Sequence, residues 1–186
     1  MKKHLFFRRF SAVFVMACLL LTVLCACGKQ QTNEDGQTIP NGFVAHEAEN
    51  ESYTIYTPQD WLVDTTTGMT SFNMGDEAAS NLNVTVIGMS ASCRNAAEYF
   101  DTFRDQYAQT FTDFTLIDDA TPTKLGTQDA YKYTFTATVA GTPYHWMQVL
   151  CDYKQAIYVV TYTAKEDSYD RYLENVQNVI DCFVFE

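Results

Sequence analysis

A chain of 186 residues with 12 Lys plus Arg against 23 Asp plus Glu carries a formal net charge of −11 at pH 7. With 47% of its residues apolar and 15% aromatic it has material for one well-filled core, and it lacks the low hydrophobicity of a disordered chain. So acidic a balance argues against nucleic-acid binding, which needs Lys and Arg to neutralise phosphates.

The charge is uneven. Residues 1–26 hold Lys2, Lys3, Arg8 and Arg9 and no acid, and Phe10 to Leu24 is an uncharged apolar run of 15 residues. A bilayer core of roughly 30 Å asks for about 20 apolar residues in a helix, so this run is short for a membrane span. A basic start, an apolar middle and then small residues have the form of a secretory signal. Leu24-Cys25-Ala26-Cys27 followed by Gly28 resembles the bacterial lipobox. That resemblance implies cleavage after Ala26 and a diacylglyceryl group on Cys27; lipidation at Cys25 instead would put bulky Leu24 at the cleavage position. An uncleaved anchor helix is the alternative, and both readings place the rest of the chain outside the cytoplasm. Without residues 1–26 there remain eight basic against 23 acidic side chains, a charge of −15. Attachment to an anionic membrane surface would then come from the acyl chains, at roughly 0.8 kcal/mol per buried CH₂, and not from charge.

Residues 27–50 follow as a lipidated end and flexible tether. The run from Gln30 to Thr38 is polar, Pro40 and Gly42 close it, and nothing in it recurs at a structural period. Phe43-Val44-Ala45 can begin an edge strand. The folded domain is expected over 51–186. Strands are predicted at Ser52–Thr57, Met69–Met74 and Leu82–Ser90, with Trp61 a packing anchor between the first two. Asn95 followed by Glu98 has the form of a capping box, and Tyr99, Phe100, Phe103, Tyr107 and Phe111 then recur at helical steps. A strand at Phe114–Lys124 leads into the clearest alternation of the chain. Tyr131, Tyr133, Phe135, Ala137 and Val139 share one face, and Lys132, Thr134, Thr136 and Thr138 the other. Gly141-Thr142 turns the chain into Tyr144–Tyr153, and Lys154-Gln155 turns it into Ile157–Ala164. Asp167 or Ser168 then caps a closing helix with the stripe Tyr169, Tyr172, Leu173, Val176, Val179, Ile180 and Phe183. The order is that of an α+β fold, an antiparallel β-sheet flanked by helices.

Three features of the domain together resemble the PsbP-like superfamily. They are Tyr53-Thr54-Ile55-Tyr56-Thr57-Pro58-Gln59-Asp60-Trp61, the aromatic helix at 95–111 before the meander at 127–164, and the ending Val179-Ile180-Asp181-Cys182-Phe183-Val184-Phe185. The superfamily includes the photosystem II extrinsic protein PsbP and bacterial lipoproteins of no known activity. The resemblance rests on pattern and order, and it implies an α/β/α sandwich with an accessory or binding role. Fold alone does not fix function.

Catalytic material is sparse. The sequence lacks G-x-S-x-G, the phosphate-binding G-x-x-x-x-G-K-[ST], H-E-x-x-H and G-x-G-x-x-G. Of three histidines, His4 lies in the signal, His46 in the tether, and His145 on a strand, where it is either a general base or a half-buried structural residue. Cys93, Cys151 and Cys182 remain after processing; Cys151 and Cys182 can pair as a disulfide, or all three are small buried hydrophobes. The acidic clusters Asp76-Glu77, Asp118-Asp119 and Glu166-Asp167 with Asp170 lack calcium-loop spacing, so no metal site and no cofactor is expected. Tyr144, Trp146 and Gln148 share a strand face mixed enough to bind a ligand. Two functions fit: a membrane-anchored extracytoplasmic accessory module for a protein partner or envelope component, or an extracytoplasmic hydrolase using a carboxylate or His145.

Overall fold

The computed structural model describes residues 31–48, 53–64, 70–75 and 80–186. The signal, the tether's first residues with Cys27, and the Asp76-Glu77 pair lie outside the described residues.

Strands β1 (Phe43–Glu47) and β2 (Tyr53–Pro58) form an antiparallel pair. Strands β3 (Leu62–Asp64), β4 (Thr70–Asn73) and β5 (Asn81–Gly88) follow, and then helix α1 (Ala96–Thr110). Four long strands come next: β6 (Thr112–Leu125), β7 (Gln128–Val139), β8 (Thr142–Tyr153) and β9 (Ala156–Lys165). A 3₁₀ turn over Glu166–Ser168, helix α2 (Tyr169–Asp181) and the short β10 (Val184–Phe185) close the fold. Seven strands make one antiparallel sheet in the order β3-β4-β5-β9-β8-β7-β6, and β1-β2-β10 make a second.

Helix α1 packs on one face of the large sheet, against β6 and β8. Phe100, fully buried, stacks on Tyr133 with ring centroids 3.7 Å apart, and Leu150, Ile157 and Val159 complete that core. The opposite face is covered by α2 and the small sheet. Tyr53, Phe72, Leu82, Tyr162, Val176, Ile180 and Phe183 fill the space between them. The result is three layers of the expected α+β class. Burying one large apolar side chain contributes about 1.5–3 kcal/mol, so these two cores supply the bulk of the driving force.

Local signals fall largely where the sequence puts them. Asn95 Oδ1 accepts from the Glu98 N–H at 2.9 Å, while the Glu98 carboxylate reaches one residue further back, to the Arg94 N–H, and pairs with its guanidinium. Ser168 occupies the N-cap of α2, but its hydroxyl bonds the Asp167 carboxylate instead of the helix. The β7–β8 turn is Ala140-Gly141, both at positive φ (50° and 81°), one residue earlier than expected, with Thr142 already in β8. Two adjacent left-handed residues match the twist of a tight hairpin. Strand β6 is a bulged edge, with register shifts near Asp113 and Ala120, and such bulges discourage pairing with another chain.

The tether expectation over 27–50 is corrected for residues 31–48, which belong to the compact unit. Asn33 is buried, and its side-chain amide donates to the Cys182 carbonyl at 3.1 Å. Ile39 is 3% exposed, and the Cys182 thiol donates to the Thr38 carbonyl at 3.2 Å. These polar residues close a small loop through hydrogen bonds between Asn33 and Gln37, and that loop is tied to the far end of the chain at Cys182.

Gly126, at the β6–β7 turn, has φ of +57°, and its N–H donates to the Ile180 carbonyl at 2.8 Å. A Cβ there would drive into the Phe183 backbone, with the carbonyl carbon only 3.0 Å away. Glycine lets this turn lie directly on the end of α2.

Candidate binding surface

Strand register sets side chains into rows across the sheet. In an antiparallel pair, directly opposed residues point to the same face. One row on the α1 side runs Asp64, Ser71, Asn83, Thr161, Gln148, Tyr133. The next runs Leu62, Asn73, Asn81, Thr163, Trp146, Phe135. Helix α1 covers the β6–β8 end of both rows, where they are aromatic. Over β9, β5 and β4 no described helix lies on this face, and the rows there are amides and hydroxyls, with Asp64 and the exposed Leu62 beyond them on β3.

Trp146 stands at the boundary. It lies between Phe135 and Phe111, with centroids 5.3 Å and 5.7 Å away and nearly parallel rings. Tyr144 tilts against it at 5.6 Å. The structure thus brings Tyr144, Trp146 and Gln148 to one face, as the alternation predicts. It also gives two of them structural duties: Trp146 is the last ring of the α1 core, and Gln148 is only 6% exposed. The Gln148 amide donates to the Thr161 hydroxyl at 3.3 Å. Burial raises the Tyr107 pKa, and the neighbouring Gln148 carboxamide works against it. Even so, the two groups do not close a hydrogen bond, and Gln148 Oε1 is left unpaired. Ser71, Asn73, Asn81, Asn83 and Thr163 likewise have no side-chain partner among the described residues. These five escape a sequence reading, because their juxtaposition depends on β5 pairing with β9 across the intervening α1, β6, β7 and β8.

His145 points to the other face. Its ring stacks on Tyr169 at 3.6 Å, and its Nε2 is buried without a hydrogen-bond partner. Burial lowers its pKa, opposed by Glu166, Asp170 and Asp118. A nitrogen sealed beneath a tyrosine ring has no approach for a substrate, so the geometry is that of a packed histidine. Asp118 accepts from the Thr134 hydroxyl at 2.6 Å and pairs with Lys132 at 3.4 Å, and its pKa is lowered by those contacts, the hydroxyl first.

Of the two readings of the cysteines, the Cys151–Cys182 disulfide is not formed. Cys93, Cys151 and Cys182 are all free thiols. Cys151 faces the Asp129 carbonyl on β7 at 3.4 Å, and Cys182 faces Thr38. Burial pushes the Cys151 pKa up to about 12, which makes it a weak nucleophile. Among the described residues no group of three or more His, Cys, Asp or Glu is placed to hold a metal ion.

Three layers with one half-open sheet face define an α+β domain of PsbP-like fold. The structure of the cyanobacterial PsbP (CyanoP) of Synechocystis sp. PCC 6803 is similar over 88% of this chain and 99% of its own, with TM-score 0.59 and 15% identity. A protein of unknown function and putative regulator from Pseudomonas aeruginosa matches 77% of this chain and 97% of its own, with TM-score 0.52 and 12% identity. LpqN, involved in cell envelope biogenesis of Mycobacterium tuberculosis, matches 76% of this chain and 89% of its own, with TM-score 0.51 and 13% identity. At such identities the likeness establishes the fold alone. No family model matches the chain, and no curated protein does.

Proposed function

We propose that the protein is an extracytoplasmic lipoprotein, anchored through Cys27, whose domain is a non-catalytic module that binds a protein or envelope component. The observation that carries the binding role is the open part of the large sheet, where Ser71, Asn73, Asn81, Asn83 and Thr163 hold unused hydrogen-bonding groups on central strands. A half-exposed polar face of this kind can exchange its hydrogen bonds to water for hydrogen bonds to a partner. The basic and apolar start of the sequence and the lipobox supply the anchor. The fold shared with LpqN, a protein of cell envelope biogenesis, supports the envelope as the place of action. The burial of His145 under Tyr169 weighs against a hydrolase using that residue.

The test has two arms. Changing Cys27 to Ser should abolish acyl labelling and membrane retention; unchanged labelling and retention overturn the anchor. Asn83→Lys, on the open face and away from both cores, should abolish association with isolated envelopes, whereas His145→Ala should preserve it. The reverse pattern in folded variants refutes the binding module in favour of a histidine-dependent activity.

A further inference from the structure

The open face has a chemistry of its own. Adjacent strands lie about 4.8 Å apart, so the two rows form a two-wide ladder of polar groups at that spacing. Ser71, Asn83, Thr161 and Gln148 make one side of it, and Asn73, Asn81 and Thr163 the other. None of the seven is titratable. Among the described residues of these rows, charge stands only at a margin, with Asp64 on the outermost strand, and Lys165 lies beyond Thr163 in the next position of β9. A face of neutral groups is conspicuous on a chain whose part beyond residue 26 carries −15.

Each class of ligand can be weighed against that chemistry. An anion finds no cation within the ladder, and a cation finds no carboxylate. An apolar surface would strip water from amides and hydroxyls without replacing its hydrogen bonds. What matches is a neutral ligand that both donates and accepts many times over a short length. Carboxamides and hydroxyls also do both. The ladder ends on aromatic rings. Tyr144 is half-buried there and only tilted against Trp146, and the exposed face of such a ring can pack on the C–H face of a sugar.

From this juxtaposition of a neutral amide-hydroxyl ladder and an aromatic end, we infer that the β9-β5-β4 face binds a neutral oligosaccharide. The inference rests on the binding reading of the same face and names its ligand class. Pyranose rings would lie across the strands, with hydroxyls bridging Asn83 to Thr161 and Asn81 to Thr163, and one ring resting against Tyr144 beside Trp146. A protein partner is the competing occupant.

The experiment uses the full-length protein in a sugar-free zwitterionic detergent, titrated with two probes, the N-acetylglucosamine tetramer and cellotetraose. Trp146 fluorescence and backbone amide shifts are the readouts; Trp61, at 5% exposure, serves as the insensitive internal reference. Saturable binding of either probe is expected, with shifts concentrated at Asn81, Asn83, Thr161 and Thr163. Asn83→Ala with Thr161→Ala should weaken it by roughly tenfold or more, the loss of one or two good hydrogen bonds. Both positions lie outside the two cores, and retained amide dispersion verifies folding. No response to either probe at millimolar concentration overturns the inference, as does binding that the double variant leaves unchanged. If sugars fail while envelope association still disappears with Asn83→Lys, the occupant is a protein: the module survives and the glycan falls. If envelope association also survives Asn83→Lys, both fall.

Discussion

Gly126 is the position at which one methyl group should do the most damage. Gly126→Ala asks three things of the fold. A non-glycine residue at φ of +57° costs about 1–2 kcal/mol. The new Cβ meets the Phe183 backbone, which is main chain and cannot rotate away, so the β6–β7 turn must lift from the end of α2. Lifting it stretches the Gly126 to Ile180 hydrogen bond, worth about 1 kcal/mol net, and loosens the packing of the fully buried Phe183 by about a third of the roughly 3–5 kcal/mol that a Phe→Ala deletion costs. The total is about 3–5 kcal/mol, out of a whole stability of about 5–15 kcal/mol. Gly141→Ala is the matched control. Its φ is +81°, nothing lies within 4 Å of a Cβ there, and it should lose only the backbone cost of about 1–2 kcal/mol. Urea denaturation of the two variants, analysed with a common slope, measures the difference directly. At about 2–4 °C per kcal/mol for a chain of this size, Gly126→Ala should melt roughly 10 °C below the parent. If the two substitutions cost the same within about 0.5 kcal/mol, the close approach of the turn to Phe183 is refuted and only the backbone conformation matters.

Two further outcomes follow from titratable groups. Burial lowers the pKa of both His46 and His145, so the unfolded chain binds more protons than the native one as pH falls below about 6.5. Their contribution is therefore intact above that pH and lost as pH falls through the folded values; urea midpoints from pH 7.5 to 5 should decline, and His46→Gln with His145→Gln should flatten the decline. An unchanged slope would mean the rings are open to water. For the thiols, alkylation under denaturing conditions without reductant should label Cys93, Cys151 and Cys182 alike, and in the native protein the half-buried Cys93 should react well before Cys151. Failure to label Cys151 and Cys182 until a reductant is added would restore the disulfide.

What the sequence makes legible depends on how far apart the interacting residues lie. The period of two from Tyr131 to Val139 is a local property, and it places Tyr133 and Phe135 under Phe100 without knowledge of any other strand. The stripes of α1 and α2 are local in the same way. Strands β3 and β10 have three and two residues, too few for a period to emerge, and they exist because β4 and β2 offer free edges. Residues 31–39 read as solvated tether since amides and hydroxyls look alike whether they bond water or the Cys182 carbonyl. The polar ladder is the extreme case. Asn83 and Thr161 are 78 positions apart in the chain, and each alone reads as the wet face of a half-buried strand. Trp146 shows the converse: it reads as an exposed platform until Phe111, at the end of α1, is laid over one side of it.

The pairing of β2 with β10 also sets a clock on synthesis. Tyr53 and Thr54 are made long before their partners Phe185 and Val184, and Asn33 waits 149 positions for Cys182. Contacts of such span close late, because the intervening loop must be paid out first. A nascent chain of this protein therefore cannot finish either its small sheet or its N-terminal clasp until residues 182–185 have emerged from the ribosome. For a polypeptide that must thread a narrow translocation channel unfolded, as the proposed export requires, that delay keeps it passable until it reaches the far side.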